Sequence, residues 1–158
     1  MAPTAGYSGT PLATKLGIKE GHRVILLGAP EGFAAALEPL PPVRVSTALR
    51  GAADVIVLFC PTRAALATRL EAAHEKLAQA GGLWVAWPKR ASKIPTDLTE
   101  DVVRELALPR GLVDNKVCAI DEIWSGLRLV IRKELRAARP PARARGQLAS
   151  KAGAGRRA

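Results

Sequence analysis

The chain has 158 residues, 48% of them hydrophobic but only 4% aromatic, with a formal net charge of +10. That length fits one domain with a core built from Val, Ile, Leu and Ala and no need of staples. The charge is uneven: Lys133, Arg136, Arg139, Arg143, Arg145, Lys151, Arg156 and Arg157 face Glu134 alone, so the basic balance says little about the folded part.

Residues 1–11 are rich in Gly, Pro, Ser and Thr and read as an arm. Thr10, Pro11 and Gly17 bound a short predicted helix as N-cap, first-turn proline and stop. Arg23 to Leu27 is the first predicted strand, apolar on both faces as in a parallel sheet. Gly28-Ala29-Pro30-Glu31-Gly32 follows it directly, then a short helix over Glu31 to Leu37 that Pro39, Pro41 and Pro42 end. Val43 to Ser46 and Asp54 to Phe59 are the second and third strands.

Arg63 to Gln79 is the strongest helix. Leu66, Leu70, Ala73 and Leu77 lay one apolar stripe along it. Gly81-Gly82 reads as its end. Leu83 to Trp87 is the fourth strand, with Trp84 and Trp87 on opposite faces. A basic loop follows over residues 88–95. Asp97 is expected to cap a helix through Arg104 or a little beyond, with Glu100 completing a capping box, and Pro109 and Gly111 to stop it. Lys116 to Ile120 and Leu127 to Arg132 read as a closing antiparallel hairpin. From residue 136 the composition shifts to Ala, Arg, Pro and Gly, which cannot bury enough apolar surface to order itself.

Strands alternating with helices imply a parallel sheet with right-handed crossovers. The fold expected is α/β: one Rossmann-like three-layer domain over residues 12–135, with a mixed sheet of about six strands in the order 2-1-3-4-6-5.

In such sheets ligands bind beyond the carboxyl ends of the strands. That edge offers Gly28, Glu31 and Gly32, then Arg63, then Lys89, Arg90 and Lys93. The cations suggest an anion or phosphate site, helped by the N-terminus of the helix after Pro61; the alternative is a solvated loop with scattered charges. Cys60 ends the third strand, but no histidine is placed near it, and a core thiol is the simpler reading. Both cysteines, Cys60 and Cys118, are expected to be buried and reduced, and neither the cysteines nor His22 and His74 show metal-ligand spacing. Asp121 and Glu122 suit acid–base chemistry by type and a turn by position. Trp124 is expected to cover a sheet face or a partner.

The layout resembles the class I methyltransferase version of the Rossmann fold, whose sheet also ends in an antiparallel hairpin. Its first motif runs hydrophobic-hydrophobic-Asp-hydrophobic-Gly-x-Gly-x-Gly. Gly28 and Gly32 match the outer glycines; Leu26 stands at the acid and Pro30 at the middle glycine. Proline adds bulk and deletes an N–H donor. The acid that would hold the ribose hydroxyls is also missing, since the second strand ends Val45-Ser46-Thr47. The expectation drawn from this is that no cofactor is bound, with S-adenosylmethionine disfavoured.

Three further blocks, residues 5–12 (AGYSGTPL), 97–105 (DLTEDVVRE) and 111–128 (GLVDNKVCAIDEIWSGLR), resemble a bacterial family of uncharacterised proteins, a domain of unknown function. That resemblance implies no activity and no site residues. No run approaches the ~18 apolar residues of a membrane span, and the N-terminus lacks a signal-peptide pattern, so a cytoplasmic protein is expected. The leading functional expectation is a non-catalytic protein binding an anionic ligand or a protein partner at the carboxyl edge. The alternatives are a divergent methyltransferase-like enzyme with an altered pocket, or an accessory protein whose basic tail makes weak, salt-sensitive contact with nucleic acid or acidic proteins.

Overall fold

The computed structural model describes residues 11–136. The arm and tail expected at 1–11 and 136–158 lie outside the described residues except for Pro11 and Arg136.

Six strands form one sheet: β1 (Arg23–Leu27), β2 (Arg44–Ser46), β3 (Ala53–Phe59), β4 (Leu77–Pro88), β5 (Leu112–Ala119) and β6 (Trp124–Ile131). Their order is β2-β1-β3-β4-β6-β5, as the alternation of elements predicts. The first four are parallel, while β6 runs antiparallel between β4 and β5. The helices are α1 (Leu12–Lys15), α2 (Phe33–Ala36), α3 (Arg63–Lys76) and α4 (Glu100–Ala107).

The period-2 alternation of the central strands builds two cores. Ile25, Ile56, Leu58, Leu83, Val85 and Trp87 face α3 and α4. Val24, Leu26, Val55, Val57, Trp84 and Ala86 face α1 and α2. The two tryptophans therefore do lie on opposite faces. Each fully buried Val, Leu or Ile contributes about 1.5–3 kcal/mol relative to leaving it in water, which explains how a chain with few aromatics holds together. Trp84 also donates its indole N–H to the Leu16 carbonyl at 3.0 Å, fastening α1 to β4.

Three local expectations are corrected. The helix over Arg63 to Gln79 ends at Lys76, and β4 begins at Leu77. Gly81 and Gly82 thus lie inside a strand rather than ending a helix. A Cβ at Gly81 would stand 2.7 Å from the Asp54 carbonyl oxygen, and one at Gly82 would stand 2.7 Å from the Arg128 Cζ. Close approach, not chain reversal, is what requires glycine there. Asp97 does not cap α4; the Thr99 hydroxyl does, accepting from Val102 N–H at 3.2 Å. The first hairpin strand runs from Leu112 rather than Lys116, because a register shift between Asp114 and Lys116 interrupts the alternation that would have revealed it.

Candidate functional site at the carboxyl edge

Gly28 makes the turn out of β1 at φ 70°, a conformation that favours glycine. The packing there is close: a Cβ would meet the Phe59 carbonyl oxygen at 3.0 Å and Arg69 Nη1 at 3.2 Å. Gly32, at φ 87°, is the N-cap of α2, and a Cβ there would meet nothing within 4 Å. Pro30 between them accepts from the Phe33 N–H at 3.1 Å and has no N–H of its own to offer a ligand. Glu31 is exposed. A cleft of about 290 Å³ opens beside Gly28, lined by Leu27, Leu49, Thr68, Arg69 and Ala72.

Arg69 escaped the sequence reading. It comes three residues after Leu66 and one before Leu70, both fully buried, so it borders the stripe that faces the sheet. That spacing was the available signal.

Two N–H groups at the N-terminus of α3 are already taken within the chain. The Thr62 hydroxyl accepts from Ala65 N–H at 3.1 Å, and Asp97 Oδ1 accepts from Arg63 N–H at 2.7 Å. The Arg63 guanidinium pairs with Glu105 at 2.9 Å. The expectation that this terminus helps hold an external anion is corrected on that ground: the chain's own carboxylate occupies the place.

Lys89, Arg90 and Lys93 belong to a separate cleft of about 730 Å³, shared with Trp87, Ile94, Asp97 and Ser125. A 3-10 turn over Arg90–Ser92 shapes it. The Ser92 hydroxyl donates to the Lys89 carbonyl at 2.7 Å and accepts from Ile94 N–H at 3.1 Å. The candidates read from the sequence are therefore divided: Gly28 lines one cleft, the loop cations line another, and Arg63 is held by acids.

On the other face of the sheet, Phe33, Phe59 and Trp124 stack edge to face, with centroids 4.8 and 5.0 Å apart. Trp124 thus covers a sheet face. Asp121 is a turn residue: its Oδ1 accepts from Ile123 N–H at 2.8 Å and Trp124 N–H at 2.7 Å. Burial pushes the Cys60 thiol up to about 11, against a smaller opposing effect of Arg69, which leaves it an unreactive core thiol at neutral pH. Cys118 departs from expectation in being only partly buried, since it lies on β5 at the edge of the sheet.

This is the fold of class I S-adenosylmethionine-dependent methyltransferases, as solved structures show. An O-methyltransferase of neocarzinostatin biosynthesis, in complex with S-adenosylmethionine and a naphthoic acid, superposes with a TM-score of 0.55 at 15% identity over 80% of this chain and 51% of that one. The chain thus spans about half the length of that enzyme. The magnesium protoporphyrin IX methyltransferase of Synechocystis, with bound S-adenosylhomocysteine, gives a TM-score of 0.52 at 11% identity over 77% and 78% of the two chains. A methyltransferase from Pyrococcus furiosus gives 0.50 at 13% identity, covering 77% and 80%.

No family model and no curated protein matches the chain, so the resemblance to a domain of unknown function read from three blocks gains no support. The expectation that no cofactor belongs here is overturned by the structures of this fold that hold S-adenosylmethionine and S-adenosylhomocysteine. The loop suits an adenosyl ligand in its backbone and departs from it in its donors. Gly28 keeps the tight turn and Gly32 leaves open space. Pro30 supplies no N–H, and the Ser46 hydroxyl at the end of β2 is committed to Ala48, donating to its carbonyl and accepting from its N–H, both at 3.1 Å. No helix among the described residues is long and apolar enough to cross a membrane.

Proposed function

We propose that the chain is a divergent methyltransferase-like protein that takes an S-adenosylmethionine-type ligand in an altered pocket beside Gly28. The observation that carries this reading is the Gly28 turn, held 3.0 Å from the Phe59 carbonyl by the measure of an added Cβ, and opening a cleft at the carboxyl edge. Gly28, Gly32, Leu49, Thr68 and Arg69 would hold the ligand. Bound there, S-adenosylmethionine would supply an activated methyl group. The chain's own contribution is positioning and exclusion of water: Leu27 and Leu49 give an apolar wall, and Arg69 places a cation at the mouth.

The pocket is altered because no carboxylate meets the ribose. A hydrogen bond to a charged group contributes about 1.5–3 kcal/mol, so this pocket binds its ligand more weakly than an acid-bearing one. The separate cleft with Lys89, Arg90 and Lys93 supports an anionic second ligand at the same edge. Calorimetric titration with S-adenosylmethionine and S-adenosylhomocysteine tests the reading. Saturable binding that an Arg69→Glu change alters supports it; absence of heat with both ligands at millimolar concentration rejects it.

A further inference from the structure

A second cleft lies at the opposite, amino edge of the sheet, away from the Gly28 turn. It encloses about 390 Å³ and is lined by Lys15, Lys19, His22, Asp54, Asn115, Lys116 and Arg128, among others. Four of these are cations and Asp54 is the one acid. Asp54 already has work within the fold, since its Oδ2 accepts from the Arg23 N–H at 2.9 Å. Lys15 and Lys116 are placed by the backbone: Lys15 donates to the Ala119 carbonyl and Lys116 to the Lys15 carbonyl, both at 3.2 Å. These bonds fix both ammonium groups at the cleft, and an ammonium carries three N–H donors.

Arg128 is the centre of the arrangement. Its guanidinium lies against the backbone of β4 at Gly82, where a Cβ would stand 2.7 Å from both Cζ and Nη2. Any side chain at position 82 would displace it, so the strand is shaped to seat this arginine. Its side-chain partner among the described residues is neutral: Asn115 Oδ1 accepts from Nη1 at 3.3 Å. Among the described residues, which include every Asp and Glu of the chain, the ion pairs go to Arg63, Arg104 and Arg110, not to Arg128. Burial, and then the neighbouring Arg136, weaken its hold on its proton. A partly buried cation without a counter-charge is costly. The cost is relieved by an anion that accepts from a planar fork and from lysines at once, which is the chemistry of phosphate. His22 adds a donor: its Nδ1 accepts from Lys19 N–H at 3.1 Å, which leaves the proton on Nε2.

We infer that this cleft is a binding site for a phosphate group, held by Arg128 with Lys19, Lys116 and Asn115. The phosphate belongs either to a small phosphorylated ligand or to a nucleic-acid backbone; the recognition chemistry is the same. The inference is independent of the carboxyl-edge reading and survives its failure.

The test uses the full chain at constant ionic strength, with chloride exchanged for inorganic phosphate. Thermal unfolding and calorimetric titration should show phosphate binding that Arg128→Gln weakens by about tenfold, while the same variant in chloride is at least as stable as the parent. Should that variant misfold, Lys19→Gln with Lys116→Gln carries the same expectation. A sugar phosphate and a short single-stranded oligonucleotide distinguish the sources: whichever loses affinity in Arg128→Gln is the natural kind of ligand. Equal phosphate responses in parent and variants, or no response in the parent, overturn the inference.

Discussion

Asp97 braces the first turn of the helix that Thr62 caps, its Oδ1 accepting the Arg63 backbone N–H at 2.7 Å. Thirty-four residues separate the two, so one carboxylate joins the loop before α4 to the first turn of α3. It also fills the spot where an external anion would otherwise sit.

Replacing Asp97 by Ala should therefore cost about 0.5–2 kcal/mol, the range for a side chain that accepts a free N–H at a helix N-terminus. Glu105→Gln, which breaks an exposed ion pair with Arg63, should cost under about 1 kcal/mol. Urea denaturation of the two variants checks the ranking. Equal losses would mean that Asp97 acts as a surface charge only.

Gly81→Ala should destabilise by roughly 1–3 kcal/mol, because the new methyl meets the Asp54 backbone oxygen at 2.7 Å and backbone yields only by distortion. A helix-ending glycine would respond differently, tolerating Asn. A melting series of Gly81→Ala and Gly81→Asn, both strongly lowered, is the expected result.

His74 gives the fold a pH dependence. Burial and then Arg110 hold its pKa below the ordinary 6.5, against weaker opposition from Glu75 and Glu71. The folded state thus resists protonation more than the unfolded chain does. Stability from this source is complete above pH 6.5 and declines as pH falls from there through the lower folded value. The urea midpoint should drop between pH 7.5 and 5.5, and His74→Gln should flatten that part of the curve.

Thiol chemistry distinguishes the two cysteines. With Cys118 changed to Ala, the remaining Cys60 thiol, buried and pushed up to about 11, should not react with a disulfide reagent at pH 8 until the protein is denatured. Rapid native-state labelling would mean that the end of β3 opens to solvent.

The sheet was legible because its signals are local and redundant. Val24 to Leu27 and Val55 to Phe59 are apolar on both faces, and the helices between them leave few ways to connect. The antiparallel β6 was readable from the Leu127, Leu129, Ile131 alternation. What stayed hidden depends on contacts distant in sequence. Asp97 looks like a cap for the helix it precedes, yet Thr99 is better placed for that task and Asp97 reaches back to Arg63. Gly81 and Gly82 look like a stop signal, and only the arrival of Asp54 and Arg128 shows that a side chain at 81 would meet backbone and one at 82 would push Arg128 aside. Arg69 looks like one more exposed helix cation until Gly28 is brought beneath it. The grouping of Arg63 with Lys89, Arg90 and Lys93 assumed that cations on one edge share one cleft, whereas Glu105 draws Arg63 away.

The most direct measurement is calorimetric titration of S-adenosylhomocysteine into the parent and into Thr47→Asp, which restores a carboxylate just beyond the end of β2. The expected result is saturable binding by the parent with Kd below about 1 mM, tightened about tenfold by the new acid. Absence of binding in both proteins would contradict an adenosyl pocket beside Gly28.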